Sequence, residues 1–201
     1  MGRTLVAYAL SCALLALERG ETPWQGASLS ALVLLPWLAL AGMPRGPGVP
    51  ASSAEGARTA LRAAALALPP LGLALGLDDV RGFEPAELLA RALPAWALVF
   101  LWGWAAELAR ASPRAGRAYS ALWLLALPGS AALWVALVWA ARGSAARAPA
   151  LDLVAPLNPL LWLHGWGRID GLEAAASAAA PLLSAGIVLA AVLVLRRGRT
   201  T

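Results

Sequence analysis

Tyr119-Ser-Ala-Leu-Trp-Leu-Leu-Ala-Leu-Pro-Gly-Ser-Ala-Ala-Leu-Trp-Val-Ala-Leu-Val-Trp-Ala-Ala141 carries no charged residue from end to end. A helix needs roughly 20 apolar residues to cross the hydrocarbon core of a bilayer, so this stretch spans one by length alone. Ala174 to Leu195 does the same. Working outward, four further apolar segments stand at Thr4 to Leu17, Ala27 to Met43, Ala63 to Leu77 and Ala92 to Ala106. The first, third and fourth fall short of the roughly 17-residue limit, so they must draw on flanking residues or thin the bilayer locally. The expected fold is all-α: one polytopic domain over residues 1–201, with spans at 4–17, 27–43, 63–77, 92–106, 119–141 and 174–195.

Composition supports this class. Sixty percent of the residues are hydrophobic, 13% are charged and the mean hydropathy is +0.69, outside the soluble globular range. All 16 basic residues are arginine. Without lysine there is no Walker A phosphate loop, no Schiff base and no Ser-Lys dyad. Cys12 is the one cysteine and His164 the one histidine, too few for a disulfide or a Cys/His zinc site, and no metal or cofactor is expected. The net charge of +5 does not imply nucleic acid, because the arginines flank apolar runs instead of forming a stripe with interleaved aromatics.

Arginine placement sets the expected topology, since Arg-rich loops stay cytoplasmic. With alternate connections inside, that side holds ten arginines (3, 45, 58, 62, 110, 114, 117, 196, 197 and 199) and the other holds six, diluted by nine of the eleven acidic residues. Six spans with both termini cytoplasmic follow, in a bacterial inner membrane. The first segment is read as a retained span, because no small-x-small cleavage site precedes Glu18. Most of the ten tryptophans then fall near one interface or the other, as an aromatic belt.

Between the spans, Pro44 to Ala57 is rich in Pro, Gly and Ser and reads as a flexible or turn-forming connection. Pro69-Pro70 removes two backbone donors and predicts a kink there. Gly72 and Gly76 have the small-xxx-small spacing of close helix contacts. Asp78, Asp79, Glu84 and Glu87 read as a solvated acidic loop, and Pro85 as the first turn of a short interfacial helix. Pro128-Gly129-Ser130 interrupts the fifth span. A serine-protease reading of Ser130 fails for want of a histidine in any span.

Ala148 to Glu173 is the chemically distinctive stretch, with His164, Asn158-Pro159, Trp162 and Trp166. His164 with Asp152, Asp170 and Glu173 suggests a metal or proton site, against the plainer reading of an interfacial histidine hydrogen-bonded to backbone. No Asp, Glu, Arg or His lies deep within any of the six segments. Such a charge costs roughly 2.5 to 3.5 kcal/mol on insertion scales and is kept where function demands it. Its absence argues against a proton- or ion-coupled transporter, and any transport must be powered by another chain.

Ala155-Pro156-Leu157-Asn158-Pro159-Leu160-Leu161 resembles the Asn-Pro-Leu of the external hairpin in ABC-2 type transporter permeases, and Arg114 to Leu127 followed by Pro128 is similar to the start of their fifth span. The resemblance implies a permease-like subunit, not itself an enzyme. Its partners would be membrane lipid, a separate ATPase subunit and a second permease copy or paralogue, with no nucleic acid. It assigns Asn158, Pro159, Trp162, His164 and Trp166 to an external gate. Arg45, Arg58, Arg62, Arg110, Arg114 and Arg117 fall in loops that contact the ATPase. The family's amphipathic helix ahead of the first span has no counterpart in Met1 to Arg3. Leu15 to Gly20 with Leu34-Leu35-Pro36 offers a second register, similar to haem-exporter permeases, which places Glu18 inside against the arginine count. The alternative to a permease is a non-catalytic structural or assembly subunit of a larger membrane complex.

Overall fold

The computed structural model describes residues 2–17, 29–46, 52–80, 82, 84–141, 158 and 178–197. All regular structure among them is helical: α1 (Gly2–Leu17), α2 (Leu29–Ala41), α3 (Ser53–Ala65), α4 (Leu68–Val80), α5 (Pro85–Ala109), α6 (Pro113–Leu124), a π-helical turn (Leu125–Gly129), α7 (Ser130–Ala141) and α8 (Ala179–Arg197). Two of them, over Leu88–Ala109 and Ala179–Arg196, are long and apolar enough to cross a membrane, and a third crossing is added if the bent pair α3–α4 counts as one. The sequence had suggested six.

Local chemistry explains where each helix starts and stops. Ser52 accepts a hydrogen bond from Glu55 N at 3.1 Å, so Ser52-Ser53-Ala54-Glu55 caps α3 and turns the end of the expected flexible connection into helix. The 40° break between α3 and α4 falls at Leu66–Ala67, ahead of the two prolines. A proline ring clashes with the carbonyl four residues back, which for Pro69 and Pro70 means Ala65 and Leu66. The ladder therefore turns there, and both prolines sit in the first turn of α4, where a missing N–H costs nothing. Pro85 opens α5, which runs unbroken to Ala109 in place of a short interfacial helix followed by a separate span.

In the fifth apolar segment the helix widens instead of breaking. Pro128 cannot donate, and Ser130 N–H reaches back to Leu125 O and Leu127 O. A Cβ at position 129 would stand 2.7 Å from Leu124 O, so the π turn demands glycine.

The core forms around α2, whose Leu34, Trp37 and Leu38 pack with Leu98, Val99, Trp102 and Ala105 of α5. On the other side of α5, Gly56, Ala60 and Ala64 of α3 allow a close approach: a Cβ on Gly103 would be 3.7 Å from that of Ala60. Many large apolar side chains point outward instead, among them Leu73, Leu125, Leu183, Ile187 and Val194. Water would penalise so much exposed apolar surface, whereas lipid would not.

Asp78 departs from the expected solvated loop. It is 0% exposed, and its carboxylate accepts from Leu29 N (2.9 Å), Ser30 N (3.0 Å) and Ser30 Oγ (2.8 Å). The last turn of α4 thus caps the first turn of α2, with a negative charge at the positive end of the helix dipole. Asp78→Ala strands these donors and should cost about 3 kcal/mol, read as a lower midpoint of denaturant unfolding in detergent by tryptophan fluorescence. Asp79→Ala, on the exposed side of the same turn, should stay within about 0.5 kcal/mol of the parent.

Candidate functional site

At the opposite end of α2 from Asp78, five helix ends meet around one carboxylate. Glu107, in the last turn of α5, is 3% exposed and pairs with Arg45, which follows α2. Its second oxygen accepts from Arg110 Nη1 at 3.0 Å, an i,i+3 pair across the end of the helix. Arg3, in the first turn of α1, donates to Met43 O at 3.1 Å and Pro44 O at 3.0 Å. Gly56 brings the start of α3 to the same place, since a Cβ there would lie 3.6 Å from Glu107 Cβ. Ser112 completes the corner by capping α6, accepting from Ala115 N at 3.1 Å.

The wall of this corner is aromatic. Tyr119 is buried and donates its hydroxyl to Gly42 O and, at 3.2 Å, to Trp102 O. Its ring meets that of Trp102 edge to face at 6.1 Å. Gly42 cannot be larger, because a Cβ there would stand 2.9 Å from Leu38 O and 3.2 Å from Trp102 Cβ. Burial, then the like charges of Arg110 and Arg3, lower Arg45 from the ordinary arginine range. A guanidinium still stays charged at any physiological pH. Arg45 and Arg110 therefore need Glu107, and Glu107 needs them.

The six arginines assigned to loop contacts separate into two groups. Arg45 and Arg110 turn inward to Glu107, with side chains 24% and 36% exposed. Arg58 and Arg62 lie on the exposed face of α3, and Arg114 and Arg117 on that of early α6. Of the residues assigned to a gate, Asn158 is 1% exposed and donates to Leu127 O at 2.8 Å and Ser130 Oγ at 2.6 Å, inside the π turn. Pro159, Trp162, His164 and Trp166 lie outside the described residues, as does the rest of the hairpin. Among the described residues no three His, Cys, Asp or Glu side chains gather in a way that could hold a metal ion.

Sequence reasoning missed Glu107 because the fourth apolar run stops at Ala106. The Glu-x-x-Arg spacing of Glu107 and Arg110 was the available signal for continued helix. Glu107→Ala leaves two guanidiniums facing each other at a partly buried site and should cost about 3 to 5 kcal/mol, whereas Glu107→Gln keeps the acceptor and should cost less. The ratio of folded to aggregated protein after heating, read by fluorescence-detected size exclusion, checks the order.

No protein-family model, no curated protein and no solved structure matches this chain.

Proposed function

We propose that the chain is a permease-like membrane subunit of an ATP-driven transporter of the ABC-2 type, crossing the bilayer six times with both termini cytoplasmic. In this reading α1, α2, α3–α4, α5, α6–α7 and α8 are the six crossings, the shorter ones completed by flanking residues or a thinned bilayer. The observation that carries it is the grouping of arginines. Arg3, Arg45 and Arg110 converge at one end of the bundle, and α3 and α6, which begin there, expose Arg58, Arg62, Arg114 and Arg117. The opposite end of α2 meets Asp78, with exposed Asp79 beside it. That asymmetry follows the positive-inside rule and leaves four outward guanidiniums for an acidic face of an ATPase.

The structural or assembly reading has one observation in its favour. A Cβ added at Gly72 or Gly76 of α4 would meet nothing within 4 Å among the described residues, an opening suited to a helix of another subunit.

Topology is tested with single cysteines in a Cys12→Ser background. Asp79→Cys should react with an impermeant maleimide added to intact cells, and Arg58→Cys only after permeabilisation; the reverse pattern would sink the orientation. Function is tested by mild-detergent purification of the tagged protein, with mass spectrometry and an ATPase assay. A stoichiometric nucleotide-binding partner is expected, its recovery falling about tenfold in an Arg58→Glu/Arg62→Glu/Arg114→Glu/Arg117→Glu variant. Other membrane partners without ATPase activity would favour the assembly reading.

A further inference from the structure

The corner around Glu107 has more positive charge and more donors than its own acceptors use. Three guanidiniums carry about fifteen N–H donors between them. The described acceptors that meet them are the carbonyls of Met43 and Pro44 and the carboxylate of Glu107. Gly42 O and Trp102 O are taken by Tyr119. Trp123 adds a buried indole N–H with no acceptor among the described residues, its Nε1 3.4 Å from where a Gly42 Cβ would stand. Glu55, the other described carboxylate near this end, is exposed on the first turn of α3 and is not part of the ion pairs to Glu107. Against one buried negative charge stand three positive ones, and two of these retain a quarter to a third of their side-chain surface open.

We propose that Arg3, Arg45 and Arg110 form a binding site for an anionic phosphate group, filled in the membrane by the headgroup of a phospholipid that carries a net negative charge. A phosphate diester offers two non-bridging oxygens, sharing one negative charge, to forked guanidinium donors, the geometry that arginine suits better than any other side chain. It brings the missing negative charge without burying another protein carboxylate. The surroundings fit a lipid better than a free ion. Leu124 and Leu125, more than half exposed, follow Trp123 along the same helix and offer acyl chains a surface below the headgroup. Trp104, whose indole donates to Ser53 O at 3.2 Å, sits at the same level. Tryptophans at headgroup depth are the usual mark of an interface. The site requires a bilayer around the bundle but no transporter, so it stands or falls apart from the function proposed above.

Native mass spectrometry of the full chain released from mild detergent, with dioleoylphosphatidylglycerol, dioleoylphosphatidylcholine or inorganic phosphate added, tests it. Retention of phosphatidylglycerol well above phosphatidylcholine is expected, falling about tenfold in Arg3→Gln/Arg110→Gln, the effect of losing charge-assisted contacts. Arg45 is left in place so that Glu107 keeps one of its two guanidinium partners when Arg110 is removed. Arg114→Gln/Arg117→Gln removes the same charge from the same end outside the corner and should change retention less than about twofold. If inorganic phosphate at millimolar concentration competes the lipid away, the occupant is a free anion and the lipid assignment is overturned. Equal loss in both variants would reduce the effect to surface charge and overturn the site, as would equal retention of the two lipids. A circular dichroism spectrum of each variant matching the parent guards against misfolding as the cause.

Discussion

The fold depends on how α2 is held at its two ends. This helix is apolar on every side and lies in the middle of the bundle, so side-chain packing alone fixes its position along its own axis only loosely. Its ends are where directional chemistry is available. Asp78 of α4 receives the N–H groups of its first turn, and Arg45 just past its last turn is met by Glu107 of α5. Between them Ser11 of α1 accepts from Trp37 Nε1 and donates to Val33 O, each at 2.9 Å, which sets the register of α1 against α2. Three partners at three heights leave α2 no freedom to slide.

The helical class was legible in the apolar runs, and much of the detail was not. Runs of Leu and Ala place helices well but say little about their ends, because an apolar residue is as content in a last turn as in a loop that lies on lipid. The ends were decided by polar residues and prolines: Ser52 with Glu55 at α3, Ser112 with Pro113 at α6, Pro85 at α5. Pro69-Pro70 did mark a break, displaced by the distance over which a proline ring reaches back. Asp78 was the costly misreading and Glu107 the costly omission. Each stands beside a run of apolar residues followed by other charges, and nothing in one dimension separates a solvated carboxylate from one that caps a distant helix, as Asp78 does, or is buried against a distant arginine, as Glu107 is.

The arginines show the same limit from the other side. Counting them assigns an end of the bundle, because the count needs only their sum. Assigning contacts to each needs direction. Arg45 and Arg58 look alike in sequence, yet one is drawn in by a buried carboxylate and the other lies on an open helix face. A half-buried ion pair is a poor source of net stability, since desolvation offsets most of the attraction. What Arg45, Glu107 and Arg110 contribute is specificity: no other described carboxylate is placed to neutralise that end of α2, so the alternatives in which α2 and α5 slip past each other leave a charge stranded.

Asn158 extends this logic to the segment ahead of α8. Pro128 and Gly129 loosen the α6–α7 helix into a wider turn whose carbonyls are less regularly met, and the Asn158 amide fills that place with bonds to Leu127 O and Ser130 Oγ. Withdrawing it gives up two hydrogen bonds in a site shut to water, a cost of about 1 to 3 kcal/mol for each polar group left unmatched. The π turn and the chain that carries Asn158 are therefore coupled: either can rearrange cheaply only if the other does. Asn158 thereby pins the wider turn in place, as Asp78 and Glu107 pin the two ends of α2.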